Sequence, residues 1–138
     1  RFFVGNSGRF LDSALDYFNI PRSQCHVTNS LLCRPTHKFT PKQWKDSLSS
    51  CKPRLEKELK SQSAKMILAI GAKAQQSLTG KQRITEWFGA TIPCMDNLVK
   101  FNCLSTIHPA FILRKGKRAY TPVFYRHLQR AWLLATKQ

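Results

Sequence analysis

The sequence predicts an open α/β fold, a sheet with helices on both faces, and three observations carry that prediction. Strand-like and helical hydrophobic patterns alternate along the chain. KMILAIG, residues 65–71, is a continuous apolar run that closes on glycine and passes straight into the helical spacing of GAKAQQSLTG, the step expected where a buried parallel strand feeds a helix. Two Thr-Pro pairs, Thr40-Pro41 and Thr121-Pro122, stand where helices should begin.

In order, RFLDSALDYF places Phe10, Leu11, Ala14, Leu15 and Phe18 on one helical stripe with Asp12 and Asp16 opposite. QCHVTNSLL is short and β-branched at its centre, and is expected to be a strand ending near Asn29 or Ser30. Thr40, Pro41 and Gln43 form a capping-box signature that opens a helix with Trp44, Leu48 and Cys51 along one face, and Pro53 is expected to break or restart it. After KMILAIG and its helix, FNCLSTI is a further strand ending at His108. The last helix should start at Thr121-Pro122 and bury Phe124, Leu128, Ala131 and Trp132. Ligands of such sheets bind at the carboxyl ends of strands, and Asn29, Gly71 and His108 all fall there. Taken singly, Asn29 also suits a turn cap and His108 a ring that satisfies a neighbouring carbonyl.

At 138 residues, 42% hydrophobic and 11% aromatic, the chain is long enough for one folded domain spanning 1–138. No apolar run approaches bilayer length, and Arg1 to Gly8 lacks the order of a signal peptide, so no membrane role is expected. Arg1 stands where a natural chain would carry Met, so the numbering is expected to begin inside a longer protein. Lys and Arg outnumber Asp and Glu by 23 to 7, a net charge of +16, which favours a polyanionic partner and above all nucleic acid. An odd set of five cysteines without a C-x-x-C pair argues against a disulfide framework and for reduced thiols in an intracellular compartment. There is no G-x-S-x-G and no phosphate-binding P-loop, which ranks an acyl- or nucleotide-handling α/β enzyme third among the functions considered.

Five blocks, in order, resemble the uracil-DNA glycosylase superfamily, most closely its iron-sulfur family 4. FFVGNSGRFLD is similar to P-F-V-G-x-A-G-x-L-L-D, with Phe2 for Pro and Ser7 for Ala; VTNSLLCRP to T-N-x-x-K-C-R-P, with Leu32 for Lys; SSCKPRL to C-x-P-x-L; LAIGAKAQQSLTG to A-L-G-x-x-A-x-x-L-x-G; and STIHPAFILR to T-x-H-P-A-Y-x-L-R. The resemblance implies a three-layer α/β/α sandwich around a short, mostly parallel sheet. The family's first strand, with its G-E-x-P-G loop, is absent from this sequence.

It also implies roles. His108 would donate a hydrogen bond to uracil O2 as the glycosidic bond breaks, steadying charge that develops on the departing base. Asn29 would read N3–H and O4 of uracil, Phe3 would stack on the flipped base, and the amides around Gly5 and Gly8 would meet a phosphate. Pro109 would stiffen the loop entering DNA, Phe111, Ile112 and Leu113 would wedge into the vacated space, and Arg114, Lys115, Lys117 and Arg118 would grip phosphates.

Cys33 and Cys51 match two of the four ligands of a [4Fe-4S] cluster, with Cys25, Cys94 and Cys103 left as small apolar fillers. The carboxylate that positions water in the family has no convincing replacement among the acids here. The expected partner is uracil-containing DNA, single- or double-stranded, and the expected form a monomer or part of a larger replication or repair polypeptide. The expected location is the cytoplasm or nucleoid of a bacterium or of a virus-infected cell. Two functions stay open: a glycosylase that flips uracil and hydrolyses its N-glycosidic bond, and a non-catalytic DNA-binding module of the same fold.

Overall fold

The computed structural model describes residues 5–29, 38–63 and 66–136. Helix α1, Gly5–Tyr17, buries Gly8, Leu11, Ala14 and Leu15, and of the stripe read from the sequence Phe10 and Phe18 are partly buried. It ends at Asn19, whose left-handed φ of 55° lets the Ile20 amide reach back to the Leu15 carbonyl at 2.9 Å. Helix α2, Pro41–Lys60, opens on a complete capping box: Gln43 N–H donates to Thr40 Oγ1, and Thr40 N–H to Gln43 Oε1.

The sequence places a break at Pro53, yet α2 runs through it. Pro53 is on the exposed side of the helix, where water can serve the carbonyl it leaves without an amide. Leu48, Leu55 and Leu59 are buried on either side of it. Each such burial contributes about 1.5–3 kcal/mol, together more than the roughly 3 kcal/mol that an interior proline costs.

Strand β1, Met66–Ile70, turns at Gly71 into α3, Ala72–Thr79, which Gly80 closes with a left-handed φ of 76°. A short turn α4, Ile84–Trp87, leads to β2, Thr91–Pro93, and then β3, Asn102–Thr106. Another single turn, α5, spans Pro109–Ile112, and α6, Thr121–Thr136, begins at the Thr-Pro pair as expected.

The sheet order is β1-β3-β2, with β1 parallel and β2 antiparallel to β3. Among the described residues the sheet is mixed, one pairing parallel and the other antiparallel. β2 escapes sequence reading because it is three residues long and contains Pro93, which only an edge strand tolerates.

The strand expected up to Asn29 is also corrected: residues 26–29 carry no regular structure. β-branched Val27 and Thr28 supply propensity, but a strand needs a neighbouring ladder, and this stretch is held by a side chain instead.

Alternation along β1 sends its side chains into two separate layers, which makes the architecture an α/β/α sandwich. Leu68 and Ile70 pack against Leu11, Leu15, Phe124 and Leu128 of α1 and α6. Ile67 and Ala69 face Leu55, Leu59 and Leu78 of α2 and α3. Phe124 is fully buried, with the Phe10 ring edge-on at 5.2 Å, while Trp132 stays half-exposed. Among the described residues no helix is long and apolar enough to cross a membrane.

Candidate functional site

β1 and β3 run side by side in register, Ile70 opposite Thr106, so the residues just beyond them emerge together. Gly71 N–H donates to the Thr106 carbonyl at 2.8 Å and closes the gap between the strand ends. Gly71 has φ 95° and ψ 167°, a region open to glycine alone. A Cβ there would sit 3.3 Å from both Cβ and Cδ2 of His108, so the imidazole lies directly over the glycine.

His108 caps α5. Its Nδ1 accepts the Ala110 amide at 3.0 Å, and because a backbone N–H can only donate, Nδ1 carries the lone pair. The proton of the neutral ring is then on Nε2, which makes His108 a hydrogen-bond donor. Burial pushes its pKa below the ordinary 6.5 and favours that neutral form.

A second histidine braces the same strand end. His127 Nδ1 lies 2.8 Å from Thr106 Oγ1, and its ring meets Phe88 edge-on at 5.6 Å. Burial, with Arg126 and Arg130 adding repulsion, lowers its pKa as well. Below 6.5 the unfolded chain takes up protons at both histidines more readily than the folded chain does. Their contribution to stability is therefore full above that pH and is lost as pH falls through the folded-state values. The melting temperature should drop on acidification from about pH 7 to pH 5, before most carboxylates titrate. A flat thermal profile across that window would contradict the desolvation of both rings.

The loop after His108 is anchored from beneath. Pro109 and Ile112 are fully buried: the proline shapes the corner, in keeping with a stiffening role, and the isoleucine ties it to the core. Phe111 is half-buried, edge-on to Tyr120 at 5.4 Å, with Arg114 and Lys117 over its ring at 5.9 and 5.6 Å. Arg114, Lys115, Lys117 and Arg118 are all exposed.

Gly5 and Gly8 belong to the first turns of α1, where amides lack intrahelical partners. A groove of about 380 Å³ between that turn and the loop is lined by Asn6, Arg9, Phe10, Ser13, Leu113 and Arg118. Arg9, paired with Asn6, is a groove cation that sequence reading missed, because nothing in its helical spacing separates it from a solvated surface charge. A larger hollow, about 510 Å³ around Lys60, Asp96 and Lys100, sits beside the start of β3 and holds none of the site residues.

Asn29 is exposed at the end of the irregular segment, with its carbonyl held by Arg54. Phe3 and Cys33 lie outside the described residues. Cys51 is a half-buried free thiol on α2. Among the described residues no three His, Cys, Asp or Glu side chains lie together as a metal site, so the donors described do not by themselves fit an iron-sulfur cluster. Cys94 and Cys103 are buried in one core cluster with Leu55, Leu59 and Leu78. Several acids are engaged away from His108: Asp12 with Arg22, Glu56 with Asn97, Glu58 with Arg54, Glu86 with Arg83 and Asp96 with Lys52.

A parallel strand pair ends in a glycine-histidine contact, beside a basic loop and inside an α/β/α sandwich. The chain belongs to the uracil DNA glycosylase superfamily, whose family profile matches residues 1–132. It is similar to a type-4 uracil-DNA glycosylase of Pyrobaculum aerophilum, 30% identical over 120 residues that cover 83% of this chain and 60% of the relative. The chain thus spans three fifths of the length of that curated relative.

Proposed function

We propose that the chain acts on DNA as the base-excising body of a uracil-DNA glycosylase. The observation that carries this reading is His108 at the ends of two parallel strands, its Nδ1 accepting the Ala110 amide so that the proton of the neutral ring sits on Nε2. In the proposed reaction the C1′–N1 bond breaks, its electron pair stays on uracil, and water adds to C1′ to leave an abasic site. His108 Nε2–H stabilises the charge that gathers on O2, an interaction stronger in the transition state than in the bound substrate. Asn29 offers an acceptor to N3–H and a donor to O4, a pattern that cytosine reverses. Phe3 stacks on the base, and Arg114, Lys115, Lys117, Arg118 and Arg9 neutralise phosphates on either side. No acid in the chain is given the water-positioning role, and no step passes through a cluster.

The test is uracil release from a uracil-containing oligonucleotide by the full natural chain and by Asn29→Ala. Release by the parent should fall steeply with added salt, as expected of a chain with net charge +16. The variant should be slower by about tenfold to a hundredfold, the worth of one bidentate base contact. A folded parent that binds DNA and frees no uracil would sink the glycosylase reading and leave a DNA-binding module of the same fold.

A further inference from the structure

A side chain that reads a base must be held to within about 0.5 Å, and loops hold less well than helices. Asn29 is exposed on a stretch, 26–29, without regular structure, so its precision has to come from a neighbouring element. That element is α2. Arg54 projects from the helix between buried Leu48 and Leu55, and its two terminal nitrogens divide the work. Nη2 donates to the Asn29 carbonyl at 2.8 Å, while Nη1 donates to Thr28 Oγ1 at 3.3 Å and lies 3.4 Å from Glu58 Oε2. Glu58 in turn lies 3.6 Å from His26 Nε2, so the helix grips the segment at both ends. Arg54 Nε is buried without a hydrogen-bond partner among the described residues, as expected if the guanidinium is committed to the segment rather than to water.

We propose that Arg54 is the positioning residue for Asn29: it fixes the backbone from which the base-reading amide projects and does not itself touch the base. The inference rests on the reading of Asn29 given above. A lysine would keep the charge, but as a compact point donor it could not bridge Thr28 and Asn29 in one plane.

The experiment is a double-mutant cycle on the full natural chain, using Asn29→Ala, Arg54→Ala and both together, with Arg54→Lys as the conservative variant. Uracil release under single-turnover conditions, affinity for undamaged DNA and the melting temperature are measured for each. Arg54→Ala should lower the single-turnover rate by about tenfold to a hundredfold, the scale of an ångström misplacement, with affinity for undamaged DNA unchanged. Arg54→Lys should recover only part of the rate. In the Asn29→Ala background Arg54→Ala should add nothing, because its effect passes through the amide already removed. Amide exchange at Thr28 and Asn29 should quicken in Arg54→Ala while α6 keeps its protection.

Losses that add across the cycle would overturn the proposal and make Arg54 a structural residue. So would parent-like release by Arg54→Ala alongside an impaired Asn29→Ala. If Asn29→Ala itself matches the parent, the reading of Asn29 fails and takes the proposal with it, an outcome distinct from the other two.

Discussion

His108→Ala is expected to slow uracil release by about 10²–10³-fold, the cost of removing one donor aimed at developing charge. Affinity for undamaged DNA should hardly change, since the exposed cations after α5 stay in place. His108→Gln is the informative companion. A glutamine amide can also donate, but it lacks the fixed ring whose Nδ1 is tied to Ala110, so partial recovery is expected. His108→Ala leaves the Ala110 amide without its cap, at about 1 kcal/mol, too little to unfold the domain and separable from the kinetic loss by a melting curve. Release at the parental rate from a folded His108→Ala protein would remove His108 from the chemistry.

Gly71→Ala should damage both stability and rate. The backbone at φ 95° and ψ 167° is closed to residues with a Cβ, so the substitution costs about 1–3 kcal/mol in strain alone. The new methyl would also press on His108 Cβ and Cδ2 at 3.3 Å. Neither of those atoms is the free end of a flexible side chain, so the whole imidazole must shift or tilt. If the reading of His108 holds, release should fall by more than the unfolded fraction explains. Control comes from Gly116→Ala: there φ is 79° but no atom beyond the chain neighbours lies within 4 Å of the added Cβ, so strain appears without pressure on His108. Equal kinetic losses in the two variants would show that pressure on His108 does not matter.

What the sequence reveals and what it conceals divide along physical lines. α2 and α6 were legible at their starts because capping is local: Thr40, Pro41 and Gln43, or Thr121 and Pro122, fix the first turn with atoms a few residues apart. β1 and α3 were legible because an apolar run followed by glycine and helical spacing has few other readings. The passage of α2 through Pro53 was not, since it depends on which side of the helix the proline takes and on leucines whose burial is a tertiary fact. β2 exists only because β3 offers it an edge, and the stretch before Asn29 lacks strand structure where its composition predicts one.

At the site, placing Gly71 and His108 at strand ends made them neighbours as soon as β1 and β3 proved parallel and adjacent. The tautomer of His108 required the hydrogen bond to Ala110, and the service of Arg54 to Asn29 required a contact across 25 positions of sequence, beyond the reach of any local pattern.

The loop after His108 is riveted below by Pro109 and Ile112 and bare above, where its four cations stand in solvent. Such a build makes two traits independently heritable. If the chain acts on DNA as proposed above, charges on the rim can be gained or lost to tune how long it lingers on each stretch of duplex, while the imidazole beneath keeps its place. On that reading, a lineage facing a saltier interior could adjust its pace of search by surface substitutions alone, leaving the buried frame under His108 untouched.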